Sequence, residues 1–94
     1  MSDAAQRPAQ THELKTWPEW FQPAVDGLKN YEVRNNDRDF RTGDYVVLKE
    51  YRPAGEGKPG TYTGRELRRR VIHIMPGGAF GIAPDVVILG LGRA

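Results

Sequence analysis

The 94-residue sequence contains no cysteine and only two histidines, His12 and His73. Without cysteine, the chain can form neither a disulfide nor a thiolate-based catalytic or metal site. A zinc site would need carboxylates to complete its ligand set, because two isolated histidines supply too few ligands. We therefore predict no metal site and no cofactor.

Long apolar stretches are also missing. No hydrophobic run approaches the roughly 20 residues that a transmembrane helix requires. The polar start, MSDAAQRPAQT, lacks the apolar segment of a secretory signal peptide. These absences predict a cytoplasmic protein without a membrane partner.

The residues that are present indicate one small, loop-rich domain. A chain of this length forms a single core and buries about 60 to 65% of its unfolded surface. Hydrophobic residues make up 38% of the chain, and 11 glycines with 7 prolines indicate many turns. We predict a flexible tail at residues 1–11, which lack apolar periodicity, and one domain at residues 12–94.

Hydrophobic periodicity predicts five strands and one early helix. The helix is expected within TWPEWFQPAVDG, with Thr16 as N-cap, Pro18 in the first turn and Gly27 as the stop signal. The strands are expected, in chain order, in HELKT, KNYEVR, YVVLKEY, RELRRRVIHIM and VVILGL. This order predicts an α+β, mostly β fold, in which a small five- to six-stranded mixed sheet curls into a β-barrel.

Two glycine loops and one histidine invite a catalytic interpretation that the spacing does not favour. GEGKPG and GGAFG lack the spacing of a phosphate-binding loop, and neither is followed by a predicted helix, so both are expected to be turns. His73 lies between two isoleucines of a strand, and we predict that it is buried and hydrogen-bonded.

The segment KNYEVR carries an unusual density of charge for a strand edge. Alternation predicts that Lys29, Tyr31 and Val33 share the inward face, and that Glu32 and Arg34 share the other face and pair with each other. A lysine at the mouth of a barrel could bind an anion or act as a general base or nucleophile. The alternative is a lysine that extends to solvent beside an ordinary ion pair.

A second charged segment contains four arginines within six residues: Arg65, Arg68, Arg69 and Arg70. Such a basic stripe is typical of a surface that neutralises phosphate, although a solvated strand face would have the same composition. Trp17, at the junction of the first strand and the helix, is either a cleft or surface ring on which a base could stack or part of the core.

The residues Gly27, Lys29, Glu32 and Arg34 fit the pattern G-x-K-x-x-E-x-R, and the sequence thereby resembles the ASCH domain of the PUA-like superfamily. The resemblance covers residues 12–92. HELKTWPEWFQPAVDG resembles the opening strand and helix of the family, and RDFRTGDYVVLKEY resembles its glycine-aspartate turn and following strand. The H-x-L-K-x-W-P start and the Y-T-G-R-E stretch resemble a small uncharacterised branch found in bacteria and their phages.

The resemblance implies a PUA-like barrel with a cleft between the helix and the strands, which in RNA-associated relatives holds a nucleotide or modified base. Lys15, Lys29 and Glu32 would lie at that cleft. Some bacterial ASCH proteins are amidohydrolases that deacetylate N4-acetylcytidine, and a ribonuclease activity is also described in the family. The amidohydrolases use a lysine at the position of Lys29 but a threonine where this chain has Glu32.

Three hypotheses follow. The first is an RNA- or nucleotide-binding module whose cleft and phosphate contacts are formed by Lys15, Trp17, Lys29, Glu32, Arg34, Arg65, Arg68 and Arg70. The second is a small hydrolase acting on an acylated nucleoside, or a ribonuclease, with Lys29 and Glu32 as the catalytic candidates. The third is a protein-interaction or phage accessory module with a vestigial cleft. The sequence leaves the oligomeric state open.

Overall fold

The computed structural model describes residues 7–94 and consists of one curled sheet and one helix. The elements are β1 (Thr11–Thr16), α1 (Pro18–Val25), β2 (Tyr31–Asn35), β3 (Tyr45–Arg52), β4 (Thr61–Pro76) and β5 (Val86–Arg93). The predicted α+β, mostly β class is confirmed, with five strands in a half-barrel. In the described part of the chain, no helix is long and apolar enough to cross a membrane.

The sheet has the strand order β1-β3-β4-β5-β2. β1 pairs with β3 in parallel, and every other pair is antiparallel, so the predicted mixed sheet is confirmed. The 16-residue β4 is long enough to pair with β3 over its first part and with β5 over its second. β1 and β2 are the edge strands, and the seam between them is the open side of the half-barrel.

The core fills the concave face of this sheet. Alternate residues of β1, β3 and β5 point inward, and the most deeply buried apolar side chains include Leu14, Val46, Leu48 and Leu89. Each such side chain contributes about 1.5 to 3 kcal/mol by leaving water. Phe21 of α1 is also fully buried, which fixes the helix over the concave face beside the seam.

The start of α1 differs from the prediction. Trp17, in extended conformation, is the N-cap residue, and its carbonyl accepts hydrogen bonds from the N–H groups of Trp20 and Phe21. Thr16 does not cap the helix, because its hydroxyl donates to the Leu14 carbonyl at 3.0 Å. Pro18 begins the helix as predicted, where its missing N–H leaves no bond unmade.

A buried carboxylate ties the beginning of the described chain to the sheet. Asp44 accepts hydrogen bonds from the Arg7 guanidinium, the Gln10 and Arg41 N–H groups and His12 Nε2, at 2.8 to 3.0 Å. Since an ionised carboxylate only accepts, Nε2 of the buried His12 carries the proton. Burial alone would raise the pKa of Asp44, but these four partners outweigh it and hold that pKa well below its usual range.

This cluster lies at the predicted boundary between tail and domain. Residues 1–6 of the predicted tail lie outside the described residues. Arg7 and Gln10 both contact Asp44, and Thr11 is already the first residue of β1.

The second half of β4 also differs from the prediction. His73 is exposed and not buried, and Ile72 before it is exposed as well. A register shift between Val71 and His73 interrupts the alternation of faces, so two successive side chains reach solvent. The two glycine loops are turns as predicted, with positive φ at Gly57 and Gly78.

Candidate functional site

An open cleft of about 530 Å³ lies at the seam, between the end of β1, the start of α1 and β2. Its lining residues are Lys15, Thr16, Trp17, Trp20, Lys29, Tyr31, Glu32, Val33 and Arg34. Five of the eight residues predicted for the ligand site, Lys15, Trp17, Lys29, Glu32 and Arg34, are therefore brought together. The cleft occupies the place where the two sheet edges fail to pair.

A buried carboxylate lies at the centre of the cleft lining. Glu32 is only 3% exposed. Its Oε1 accepts hydrogen bonds from Nε and Nη2 of Arg34 at 3.1 and 2.8 Å, and its Oε2 accepts from Nζ of Lys29. A carboxylate survives such burial only when it is paired and hydrogen-bonded, and two cations fulfil both conditions here.

The predicted pairing of Glu32 with Arg34 is confirmed, but the predicted orientation of the strand is wrong. Glu32 points inward, whereas Tyr31 and Val33 are exposed. Lys29 precedes β2, which begins at Tyr31, so strand alternation does not govern its direction. Its ammonium donates to the Tyr31 carbonyl at 2.8 Å and to Glu32, and this contact allows the charged face to turn inward.

Arg34 also joins the two edges of the sheet. Its Nη2 donates to the Lys15 carbonyl at 3.0 Å and to the Thr16 hydroxyl at 3.3 Å, both on β1. Farther along the seam, Arg38 Nη1 donates to the Glu13 carbonyl at 2.7 Å. Arginine side chains thus occupy backbone acceptors that a neighbouring strand would otherwise use.

Aromatic rings form the walls of the cleft. Trp17 is 47% exposed and Trp20 is 54% exposed, although large aromatic residues are mostly buried in domains of this size. Tyr31 and Val33 form the opposite wall on β2. The predicted site left out Thr16, Trp20, Tyr31 and Val33, although Trp20 follows Trp17 by three residues at the start of the helix.

The glycine of the charged motif shapes the turn that leads into the cleft. Gly27 has a φ of 77°, a left-handed conformation that glycine adopts without a steric penalty. The Pro23 carbonyl accepts from the N–H groups of Leu28 and Lys29 at 2.9 and 3.1 Å. The turn therefore stops the helix and directs Lys29 toward Glu32.

The predicted arginine stripe does not line the cleft. Arg65 Nη1 donates to Gln22 Oε1 on α1 at 3.1 Å. Arg68 and Arg70 lie over the ring of Tyr45, with guanidinium carbons 4.2 and 5.5 Å from its centroid.

The ammonium of Lys15 lies 4.3 Å from the centroid of the Tyr51 ring, so its charge is held at the rim of the cleft. Within residues 7–94, no group of three metal-ligating side chains is present.

Fold and site together define a small α+β module with a curled five-stranded sheet and an aromatic-walled cleft built around a buried ion-pair cluster. The chain belongs to the family described as a domain of unknown function, DUF3850, whose model matches residues 11–91. It is also similar to a protein of Escherichia phage P2 described as an uncharacterized 12.9 kDa protein in the GpA 3' region. The two are 30% identical over 66 residues, which cover 70% of this chain and 55% of the phage protein. The predicted resemblance to a phage protein is thus confirmed at 30% identity over 66 residues.

Proposed function

We propose that the protein is an ASCH-type, PUA-like module of the cytoplasm that binds RNA or a nucleotide in the seam cleft. The observation that carries this proposal is the buried Glu32, held between Lys29 and Arg34 at an open cavity with tryptophan walls. The residues that gave the resemblance to the ASCH motif are the same residues that form this cluster and the turn before it.

The size and walls of the cleft support a nucleobase as ligand. A volume of about 530 Å³ lies within the range of small-molecule sites, roughly 300 to 1,000 Å³. An exposed aromatic ring stabilises a stacked base by about 1 to 3 kcal/mol. Trp17 and Trp20 offer such rings on one side, and Tyr31 offers another on the opposite wall.

The polar groups of the cleft support recognition of an edge of the base or of a phosphate. The Lys29 ammonium has three N–H groups, of which Tyr31 and Glu32 engage two. The remaining donor is available to a ligand acceptor. Glu32 accepts three hydrogen bonds and retains one acceptor site, on Oε2, for a base amino group, and it orients both cations.

Single-stranded or looped RNA fits this arrangement better than a duplex. A base must leave its stack to enter a cleft between a helix and a strand, and unpaired nucleotides do so at least cost. In this proposal, Arg65, Arg68 and Arg70 contact the backbone of the strand outside the cleft.

A hydrolase remains the second candidate, and one contact bears on it. A lysine that acts as base or nucleophile must direct its nitrogen at the substrate, but the Lys29 ammonium donates to the Glu32 carboxylate and the Tyr31 carbonyl of the protein itself. This geometry favours binding over catalysis. Incubation with N4-acetylcytidine distinguishes the two: we expect no Lys29-dependent release of acetate.

The binding proposal predicts that Lys29→Met weakens the affinity for a short single-stranded RNA by about tenfold or more, since a hydrogen bond from a charged group contributes about 1.5 to 3 kcal/mol. The measurement is fluorescence anisotropy of labelled eight-nucleotide RNAs at two salt concentrations. Wild-type affinity should fall as salt rises, because phosphate contacts release counterions.

The matched control is Lys58→Met, which removes an exposed lysine from the loop before β4. This variant should bind RNA as the wild type does, within about twofold for a minor change in net charge. Equal affinities of wild type and Lys29→Met, or wild-type binding that ignores salt, would contradict the proposed role of the site.

A further inference from the structure

Two arginines face each other directly across the β4–β5 pair. Arg69 lies opposite Arg93 in the antiparallel register. Like charges at directly opposed positions destabilise a sheet. Among the described residues, no carboxylate forms an ion pair with either arginine, and Arg69 Nη1 donates only to the Arg68 carbonyl, at 2.9 Å. The sheet therefore retains a repulsive pair that nothing in the described chain neutralises.

Half of the ten arginines of the chain have a carboxylate partner among the described residues. Several form ion pairs with carboxylates: Arg7, Arg34, Arg38, Arg41 and Arg65. Arg52, Arg68 and Arg70 have no carboxylate partner among the described residues either, but Arg69 and Arg93 are the two arginines that the sheet register places directly opposite each other. A fold that places acidic residues beside so many arginines leaves this pair open to an external anion.

A concave surface lies beside the pair, and we call it the arginine hollow. It has a volume of about 610 Å³ and is lined by Arg68, Arg69, Arg93, Gly92, Gly27 and Asn30, with Ala94 at its rim. Arg68 contributes to the lining, but its guanidinium lies over the Tyr45 ring, which is not part of the hollow. The hollow therefore offers the two opposed arginines, Arg69 and Arg93, whose planar guanidinium forks match the oxygens of a phosphate.

The hollow and the seam cleft are separated by a single short segment. Lys29 and Tyr31 line the cleft, whereas Gly27 and Asn30, from the same turn, line the hollow. The side chain of Asn30 donates to the Gly27 carbonyl at 2.9 Å, which holds the turn between the two concavities. A strand that crosses this turn would present a base on one side and a phosphate on the other.

We propose that the arginine hollow binds a backbone phosphate of the RNA strand whose base occupies the seam cleft. This inference rests on the proposed function and deepens it, because it adds Arg69 and Arg93 to the phosphate contacts and divides the ligand between two sites. It also gives the opposed pair a reason: phosphate supplies the ion-pair partner that neither arginine has among the described residues.

The test compares wild type with Arg69→Gln/Arg93→Gln on two probes, cytidine and an eight-nucleotide single-stranded RNA. The double variant should bind cytidine as the wild type does, because the cleft is intact. Its affinity for the RNA should fall about tenfold, and the slope of log K against log salt should become shallower by about 0.7, because one phosphate of a single strand is no longer neutralised. RNA affinity and salt slope equal to those of the wild type would overturn the proposal.

A matched control removes an arginine elsewhere. Arg52→Gln changes an exposed residue at the end of β3 and should leave both the affinity and the slope within error of the wild type. An equal loss in this control would mean that net charge alone acts, which would also overturn the assignment. Removal of the repulsive pair should raise the Tm of the double variant by about 1 to 4 °C. A lower Tm would assign the two arginines a structural role and contradict the proposal.

Failure of the proposed function is separable from failure of this inference. If wild type binds neither cytidine nor RNA, the cleft proposal fails, and the hollow is then tested with inorganic pyrophosphate by NMR of the arginine Nε–H signals. Saturable shifts at Arg69 and Arg93, but not at Arg52, would support an anion site for free phosphate compounds. No difference between these signals would overturn the site.

Discussion

Replacement of Arg34 by methionine is expected to lower the free energy of unfolding by about 3 to 5 kcal/mol. The guanidinium supplies two of the three hydrogen bonds to the buried Glu32, so the variant leaves a desolvated carboxylate with Lys29 as its single partner. It also removes the bond to the Lys15 carbonyl across the seam. Urea denaturation followed by circular dichroism measures the change.

The comparison needs a second substitution at the same cluster. Arg34→Met combined with Glu32→Gln should cost clearly less than the single substitution, because the uncompensated charge is gone. Arg52→Met, at an exposed position, should stay within about 0.5 kcal/mol of the wild type. If Arg34→Met lowered the free energy of unfolding by less than about 1 kcal/mol, the buried Glu32 would not depend on the Arg34 guanidinium, which would contradict the expectation for a buried ion pair.

Asp44→Ala is expected to have a similar effect, about 3 to 5 kcal/mol, at the opposite end of β3. The substitution removes the acceptor of the buried His12 Nε2–H and of the Arg7 guanidinium, together with two backbone N–H groups. Buried donors without acceptors cost about 1 to 3 kcal/mol each. Thermal unfolding should show a Tm lower by more than about 10 °C.

The pH dependence of the stability difference between wild type and Asp44→Ala tests whether the ionised Asp44 carboxylate is responsible for it. The pKa of Asp44 is lower in the folded than in the unfolded chain. The contribution of its carboxylate to the free energy of unfolding is therefore complete above about pH 4 and declines as the pH falls below that value. The gap between wild type and Asp44→Ala should therefore narrow from pH 7 toward pH 2. Asp85→Ala, at an exposed side chain, should lower the Tm only slightly at pH 7. A gap for Asp44→Ala that is constant with pH would contradict the assigned role of the carboxylate.

The strands and the helix could be predicted because their signals are local. The alternation in YVVLKEY and the apolar VVILGL specify strands wherever they lie in a small core. Pro18 and Gly27 mark the two ends of the helical region through constraints on their own backbone. These features predicted the five strands and the helix of the mixed sheet, whereas the positions of Lys15, Lys29 and Glu32 at a cleft were predicted from the resemblance of the charged motif.

The orientation of the site could not be predicted, because it depends on contacts between distant parts of the chain. Alternation alone turns Tyr31 and Val33 inward, since it weighs apolar against charged side chains. In the structure, Glu32 is buried instead, because Lys29 and Arg34 both reach it and Arg34 also bonds to β1 across the seam. The burial of His12 likewise depends on Asp44, 32 residues away in the chain.

The arginine stripe shows a further limit of sequence reasoning. Four arginines close in sequence suggested one continuous surface, but strand alternation and partners divide them. Arg65 contacts α1, Arg68 and Arg70 lie over Tyr45, and Arg69 lies opposite Arg93. The pairing of Arg69 with Arg93 required the register of β4 and β5, which a single sequence does not reveal.

The most direct test of the nucleotide site uses the two tryptophans of the chain, Trp17 and Trp20, which both line the seam cleft. Intrinsic fluorescence therefore reports on the cleft alone when a short single-stranded RNA or a nucleoside monophosphate is added. We expect a saturable change in emission that Lys29→Met weakens by about tenfold or more. RNA that binds by anisotropy without changing the tryptophan emission, or no binding by either measurement, would contradict the claim that this cleft is a nucleotide site.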